Sequence, residues 1–220
     1  MTTTVSGIGG EFTRDDVEII DRKRGYDGFF KLDQLTLRHR KFDGGWSAEM
    51  PRELVIRRDA VGVLLYDPQL DAVALIEQFR TGIIDKVKSV SDSKCREQSP
   101  WILELVAGLI DRDETPAEVA KREALEEANC EILALEPIFD FFTSPGGTNE
   151  YLHLFCGRCD LISAGGVYGL AEEHEDIRVH VIDYETAVAL LKGGRINNAI
   201  TIIAMQWLQM QRDRLRQQWR

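Results

Sequence analysis

Gly108 to Cys130 reads GLIDRDETPAEVAKREALEEANC, a loop feeding a helix with one edge crowded by carboxylates. Thr115 suits the N-cap, Pro116 the first helical position, and Glu118 completes a T-x-x-E capping box. Nothing interrupts the helix from Pro116 to about Ala128. On it Glu123 and Glu127 are four residues apart and Glu126 is three beyond Glu123, so all three fall on one side. At about 6 Å and an effective dielectric near 20, each like-charge pair repels by about 3 kcal/mol. Val119, Ala120, Ala124 and Leu125 provide apolar surface for docking. A docked helix with such an edge is an oxygen-donor site for a hard cation, most simply Mg²⁺, with Mn²⁺ as a substitute. The competing reading is a solvated, merely acidic surface helix.

At 220 residues the chain fits one generous domain, or a core domain with a small appended unit. Hydrophobic residues make up 44% and charged residues 29%, ordinary for a globular protein able to build a full core. The net charge of −10 argues against nucleic-acid or anionic-membrane binding, so an anionic substrate must be met by local arginines and cations. No secretory leader opens the chain, and the apolar run from Ala199 to Met210 is too short to span a bilayer. A cytoplasmic location is expected. Cys95, Cys130, Cys156 and Cys159 form no dense disulfide framework. The C-x-x-C at Cys156 to Cys159 lies in a run that reads as strand without a second pair, favouring buried thiols over zinc.

Val17 to Asp21, Phe29 to Arg38 and Arg52 to Arg58 read as strands, with a turn at Asp43-Gly44-Gly45 between the last two. They suggest a small antiparallel N-terminal unit over residues 1–58, ahead of a catalytic domain over 59–220. Val61 to Tyr66 and Ala72 to Phe79 form a second hairpin across Asp67-Pro68. Ile84 to Pro100 is charged and aperiodic, the mark of a flexible surface insertion. A strand from Trp101 to Val106 delivers Gly108. Ile132 to Phe142, Tyr151 to Leu161 and Ile177 to Ile182 are further strands, and Ser163 to Glu175 is a Gly- and Glu-rich loop. Tyr184 to Lys192, capped by Asp183, and about Asn198 to Gln218 are helices. The predicted class is α+β, an α/β/α sandwich of mixed sheets with a small N-terminal β unit.

The opening stretch resembles the Nudix box: Gly, five residues, Glu, seven residues, Arg-Glu, apolar, any, Glu-Glu, any, Gly, apolar. Gly108, Glu114, Arg122, Glu123, Ala124, Glu126, Glu127 and Cys130 match at the required spacings. Asn129 stands where the family has Gly, and Asn is the next best residue for a left-handed helix cap. Pro145, fifteen residues beyond the box in Ser144-Pro145-Gly146-Gly147, looks like the ADP-ribose diphosphatase subgroup. So do Gly169 to Val179, Leu75 to Arg80, Gly28-Phe29-Phe30 and Asn197 to Leu208. The resemblance implies the sandwich fold, with the box as strand–loop–helix between sheets. It also implies a homodimer whose N-terminal units complete each other's sites.

Glu123, Glu127 and Glu126 are the expected metal ligands. By resemblance the carbonyl of Ala107 supplies another oxygen. Arg122 is expected to brace the carboxylates through Glu118 and Glu126 at i−4 and i+4, with Glu114 in support; Glu104 is a further candidate from its strand. The general base should sit on a mobile loop, and the family match selects Glu173, although Glu172, His174 and Glu175 are not excluded by physics. Arg80 and Arg52 are candidate phosphate donors, because guanidinium forks suit phosphate oxygens. Of the neighbours Arg57 and Arg58, at most one points inward. Glu150 is a candidate acceptor for a ribose hydroxyl, and Phe29 resembles the aromatic that stacks on adenine. The expected reaction is Mg²⁺-dependent hydrolysis of ADP-ribose to AMP and ribose 5-phosphate. The alternatives are another nucleoside diphosphate sugar, such as GDP-mannose or ADP-glucose, or a Nudix-like module that senses ADP-ribose without cleaving it. Such a module is expected to lose box carboxylates, and all are present here.

Overall fold

The computed structural model describes residues 9–86, 99–111 and 113–219. Most of the insertion expected over 84–100 lies outside that range, as does Cys95. The described chain divides into two compact units, residues 1–58 with 142–150, and 59–141 with 151–220.

The first unit is built on a three-stranded antiparallel sheet in the order β1 (Val17–Asp27), β2 (Lys31–His39), β3 (Met50–Ile56). Asp33 on β2 is only 2% exposed. Arg22 donates to it through Nε at 2.6 Å, and Arg24 pairs with it from two residues further on. These guanidinium groups hold the Asp33 carboxyl below the usual range. β1 runs six residues beyond the expected end at Asp21, with irregular register at Ile19/Asp21 and Arg24/Tyr26. Its side chains are almost all exposed, so the ladder to β2 rather than an apolar face defines this strand. The Asp43-Gly44-Gly45 turn forms as expected, with both glycines at positive φ.

The second unit is an α/β/α sandwich around a mixed sheet of eight described strands. The path is β10 (Gly166–Tyr168), β11 (Ile177–Asp183), β5 (Ala72–Phe79), β4 (Ala60–Asp67), β9 (Tyr151–Arg158), β8 (Ala134–Phe142). β4 and β9 are parallel, whereas β10–β11, β11–β5 and β5–β4 are antiparallel. β4 reads AVGVLLYD and is buried along its whole length, the pattern of a strand covered on both faces. Val61, Val63 and Leu65 face a cluster with α1 (Pro116–Ala128). Leu64 and Tyr66 face α2 (Tyr184–Gly193) and α3 (Ala199–Gln218) on the other side. A Cβ at Gly62 would stand 3.1 Å from Ile200 and 3.2 Å from Leu154, so the close passage of α3 fixes a glycine there.

The strand expected over 101–106 is two. β6 (Trp101–Glu104) pairs with β5, and β7 (Val106–Leu109) pairs with β4. β4 and β5 pair directly only over Leu65–Asp67 and Ala72–Ala74, then separate like the arms of a fork. Backbone groups at the break find partners on α3: Leu105 N–H donates to Thr201 Oγ1 at 3.2 Å, and Asn198 Nδ2 donates to Leu103 O at 2.7 Å. The loop expected from Ser163 to Glu175 also holds more structure than its composition suggests, with β10 and a 3-10 turn at Ala171–Glu173. Cys130, Cys156 and Cys159 are free, buried thiols. Among the described residues no helix is long and apolar enough to cross a membrane.

The β4–β5 turn ties α3 to the sheet. Asp71 there has a positive φ of 54°. It accepts from Tyr66 Oη at 2.8 Å and Arg212 Nε at 3.0 Å, with Arg216 at 3.4 Å. Arg212 also stacks on Tyr184, 4.0 Å from the ring centroid. Arg212 is the largest influence holding the Asp71 carboxyl below its ordinary value. A depressed carboxylate adds stability above its unfolded pKa and loses it as pH falls through the folded one. Asp71→Asn keeps the left-handed backbone but removes the charge, so it should cost about 2 kcal/mol near neutral pH. In thermal melts the gap from wild type should shrink on acidification below pH 4.

Candidate active site

Helix α1 begins as the sequence dictates. Thr115 Oγ1 accepts from Glu118 N–H, and the Glu118 carboxylate accepts from Thr115 N–H at 2.8 Å, closing the capping box. At the far end Asn129 takes the left-handed conformation, φ 50° and ψ 38°, in place of the usual glycine. Val119, Ala120, Ala124 and Ala128 dock the helix on the sheet. Leu125, expected among them, is instead 52% exposed.

Docking brings the edge onto β7. Glu127 is 3% exposed, and its Oε2 accepts from Ala107 N–H at 3.0 Å. Burial pushes its carboxyl up to about 8, against the pull of the Ala107 hydrogen bond, and the charges of Glu123 and Glu175 add to the rise. Burial likewise raises Glu123, opposed by Arg122 and reinforced by Glu126 and Glu175. Gly108 makes this approach possible, because a Cβ there would overlap the Glu123 carboxylate. The glycine of the motif is therefore a space requirement, since its φ is not in the left-handed region. Gly108→Ala should displace Glu123 and weaken Mg²⁺ binding by about 10–100-fold, measured by calorimetric titration.

Arg122 braces the edge, with one partner different from expectation. Its guanidinium grips Glu114 with two bonds, Nε at 2.7 Å and Nη2 at 3.0 Å. Nη1 reaches Glu123 at 2.8 Å and Glu126 at 2.9 Å. Glu118 does not take part, because its carboxylate is occupied by the Thr115 cap. Glu114, the largest influence, raises the Arg122 pKa. Helical spacing alone could not supply this contact, since Glu114 lies before the helix begins.

On the neighbouring arm of the fork, Arg80 Nε pairs with Glu104 at 2.6 Å. Burial raises the Glu104 carboxyl while Arg80 and Gln78 pull it down. Arg80 also lowers Glu127 through its charge, so the two arms are electrostatically one site. Glu175 accepts from Leu170 N–H at 3.0 Å, and a Cβ at Gly169 would lie 2.6 Å from its own Cβ. The backbone of Glu173 lies in the 3-10 turn, and its side chain is outside the described residues. The sequence left Glu175 open as an alternative to Glu173; its coupling to Glu123 and Glu127 came only with the fold.

The remaining candidates belong to the first unit. Glu150 is 7% exposed; Arg57 Nη2 pairs with it at 2.9 Å and Thr143 Oγ1 donates at 2.7 Å. Arg57 also lies over Phe30, 5.2 Å from the ring centroid. Arg52 is exposed, its Nη1 on the carbonyl of Pro51 at 2.8 Å. Phe29 is 84% exposed and meets Phe30 edge-on at 5.0 Å.

The donor set fits a hard divalent cation. It consists of carboxylate oxygens with two members, Glu123 and Glu127, held where burial disfavours their negative charge. Among the described residues no group of three or more Asp, Glu, His or Cys side chains is arranged as a metal-holding cluster. Arg122 holds one oxygen of Glu123 and one of Glu126.

The NUDIX domain model matches residues 56–201. ADP-ribose pyrophosphatase of Escherichia coli (strain K12) is 43% identical over 208 residues, 94% of this chain and 95% of that protein. GDP-mannose pyrophosphatase of Pectobacterium atrosepticum is 32% identical over 194 residues, 86% of this chain and 92% of that protein. A crystal structure of an ADP compounds hydrolase superposes with a TM-score of 0.64 at 17% identity, covering 89% of this chain and 96% of that one. That last likeness concerns the fold alone. With the box spacings, the docked carboxylate helix and these matches in hand, the chain belongs to the NUDIX domain family.

Proposed function

We propose that this protein hydrolyses the diphosphate bond of ADP-ribose, giving AMP and ribose 5-phosphate, with Mg²⁺ as the working cation and Mn²⁺ able to replace it. The observation that carries the reaction class is the carboxylate edge of α1 seated against Ala107 and Gly108. The choice of substrate is supported by the near-full-length likeness to ADP-ribose pyrophosphatase.

When bound, the cation neutralises phosphate charge and acidifies water. Glu123, Glu126, Glu127 and the carbonyl of Ala107 are the groups assigned to hold it. Arg122 holds Glu123 and Glu126 in place through a shared nitrogen, with Glu114 fixing its guanidinium from outside the helix. Arg80, oriented by Glu104, is assigned to a phosphate oxygen of the substrate. Glu173 is assigned as the general base that takes a proton from the attacking water. Arg52 as a phosphate donor and Glu150 as a ribose acceptor stand as proposed contacts on their side-chain chemistry, and Phe29 on the strength of the sequence resemblance. A homodimer is part of the same reading, and equilibrium sedimentation giving twice the 25.0 kDa chain mass would agree with it.

GDP-mannose is the second reading, favoured by the relative that bears its name. A panel of nucleoside diphosphate sugars with Mg²⁺, compared by kcat/KM, decides between them. ADP-ribose is expected to lead by at least about tenfold, on the order of 1.4 kcal/mol of differential transition-state binding. A GDP-mannose lead of that size would replace the first reading, and no turnover of any of them would leave a binding module.

A further inference from the structure

β6 has β5 on one edge, and carbonyls on its other edge are held by side chains from behind the sheet. Arg80 N–H donates to Pro100 O at 2.8 Å, which makes these two a hydrogen-bonded pair of the antiparallel ladder. The alternation of such pairs turns the carbonyls of Trp101 and Leu103 away from β5. Leu103 O accepts from Asn198, and Trp101 O accepts from Arg195 Nη1 at 3.2 Å. The other arm of the same guanidinium, Nη2, donates to Glu77 Oε1 on β5 at 2.7 Å. His180 Nε2 on β11 stands 3.0 Å from the second oxygen of Glu77. The end of α2 fixes the place of Arg195. Gly194 caps that helix in the left-handed conformation, φ 75°, and Arg195 N–H then donates back to Leu190 O at 2.9 Å. Side chains alternate along β5, so Leu75 and Glu77 face α2 and α3 while Ile76 and Arg80 lie toward α1. Arg195 and Arg80 thus stand on opposite faces of one pair of strands.

We propose that Arg195 is a positioning residue for the hydrolysis, one that acts on the substrate through Arg80. The assignment rests on the function proposed above, in which Arg80 meets a diphosphate oxygen. Arg80 is attached to β6 and its approach twice, by its N–H to Pro100 and by its side chain to Glu104. Both attachments hold Arg80 only as firmly as β6 is held against β5. Their ladder is four residue pairs long, and the Arg195 bridge closes it at the end nearest Arg80. A guanidinium fork suits this task, since one planar group reaches a carboxylate and a carbonyl on two strands at once. Without it Trp101 O and Glu77 each lose a donor, and the group meant for phosphate shifts with the strand end. A displacement of about 1 Å at a positioned donor costs up to about a hundredfold in rate.

A double-mutant cycle between Arg195→Met and Arg80→Ala tests this in the full chain, assayed with Mg²⁺ and ADP-ribose well below every variant's thermal midpoint. Arg195→Met alone should lower kcat/KM by about tenfold. Mg²⁺ affinity measured without substrate should stay within about twofold of wild type, because Arg195 faces away from the carboxylate edge. In the Arg80→Ala background the same substitution should change kcat/KM by less than about twofold, since the group it positions is gone. A merely structural role would lower the midpoint without that dependence on Arg80. The full loss repeated in the Arg80→Ala background, or no loss in either, overturns the assignment. Should Arg195→Met fail to fold, Glu77→Gln replaces it in the cycle, keeping the shape of the anchor without its charge. A loss of about threefold that vanishes with Arg80→Ala is then expected, and a silent Glu77→Gln overturns the proposal. A wild-type protein inert on every nucleoside diphosphate sugar removes the underlying function and this assignment together. An Arg80→Ala enzyme as active as wild type removes the assignment and leaves the hydrolysis standing.

Discussion

Glu127→Gln should lower kcat/KM by at least about a thousandfold, the several kcal/mol that a metal supplies to such a transition state. The same change should stabilise the metal-free protein. Glu127 is buried with its carboxyl pushed up to about 8 from an ordinary 4.5, so the folded state holds a proton that the unfolded state releases between those values. A raised acid stabilises the fold fully below 4.5 and progressively less as pH climbs toward 8. At pH 7 the deficit is on the order of 3 kcal/mol. Glutamine is already neutral and can still accept from Ala107 N–H, so it escapes that cost. Melts of both proteins in chelator, at pH 5 and pH 7.5, should show the variant's advantage growing with pH. Added Mg²⁺ should then raise the wild-type midpoint and leave that of Glu127→Gln almost unmoved. A variant that loses stability in chelator would show that the carboxylate serves the fold rather than a cation.

Glu173→Gln should reduce kcat by about 10²–10⁴-fold, the range for removal of a positioned general base, with Mg²⁺ affinity preserved. Glu175→Gln is the informative companion. Its carboxylate accepts from Leu170 N–H and adds to the charge felt by Glu123 and Glu127. Neutralising it should loosen the loop and ease ionisation of both glutamates, changing kcat by less than about tenfold. If Glu175→Gln or Glu172→Gln proved the silent enzyme and Glu173→Gln stayed active, the base would have to be reassigned.

Local physics made some elements readable and left others hidden. Helix α1 was legible to the residue, because Thr115, Pro116, Glu118 and Asn129 each state their own position in it. The apolar run of β4, α2 with its Asp183 cap and the amphipathic α3 were readable to within a residue or so of their ends. β1 beyond Asp21 was not, since DRKRGYD carries no alternation and is strand only through its ladder to β2. The break at Leu105 left no mark either, because an apolar residue in an apolar run does not announce a change of neighbour. In the site, the crowding of Glu123, Glu126 and Glu127 followed from helical spacing. The Glu114 grip on Arg122 and the Glu104 grip on Arg80 join residues from different elements, and no periodicity encodes them.

The fork between β4 and β5 has a further consequence. Ala107 and Gly108 ride on one tine, while Arg80, Gln78 and Glu104 ride on the other. The spread between the groups proposed to hold the cation and those proposed to face phosphate is therefore set by the splay of two strands. That splay is pinned from the back of the sheet by Asn198 and Thr201, the first turn of the last helix. Catalytic tuning in this architecture can be inherited through substitutions that never touch the reacting molecule, and a search for altered specificity should begin behind the sheet as well as in front of it.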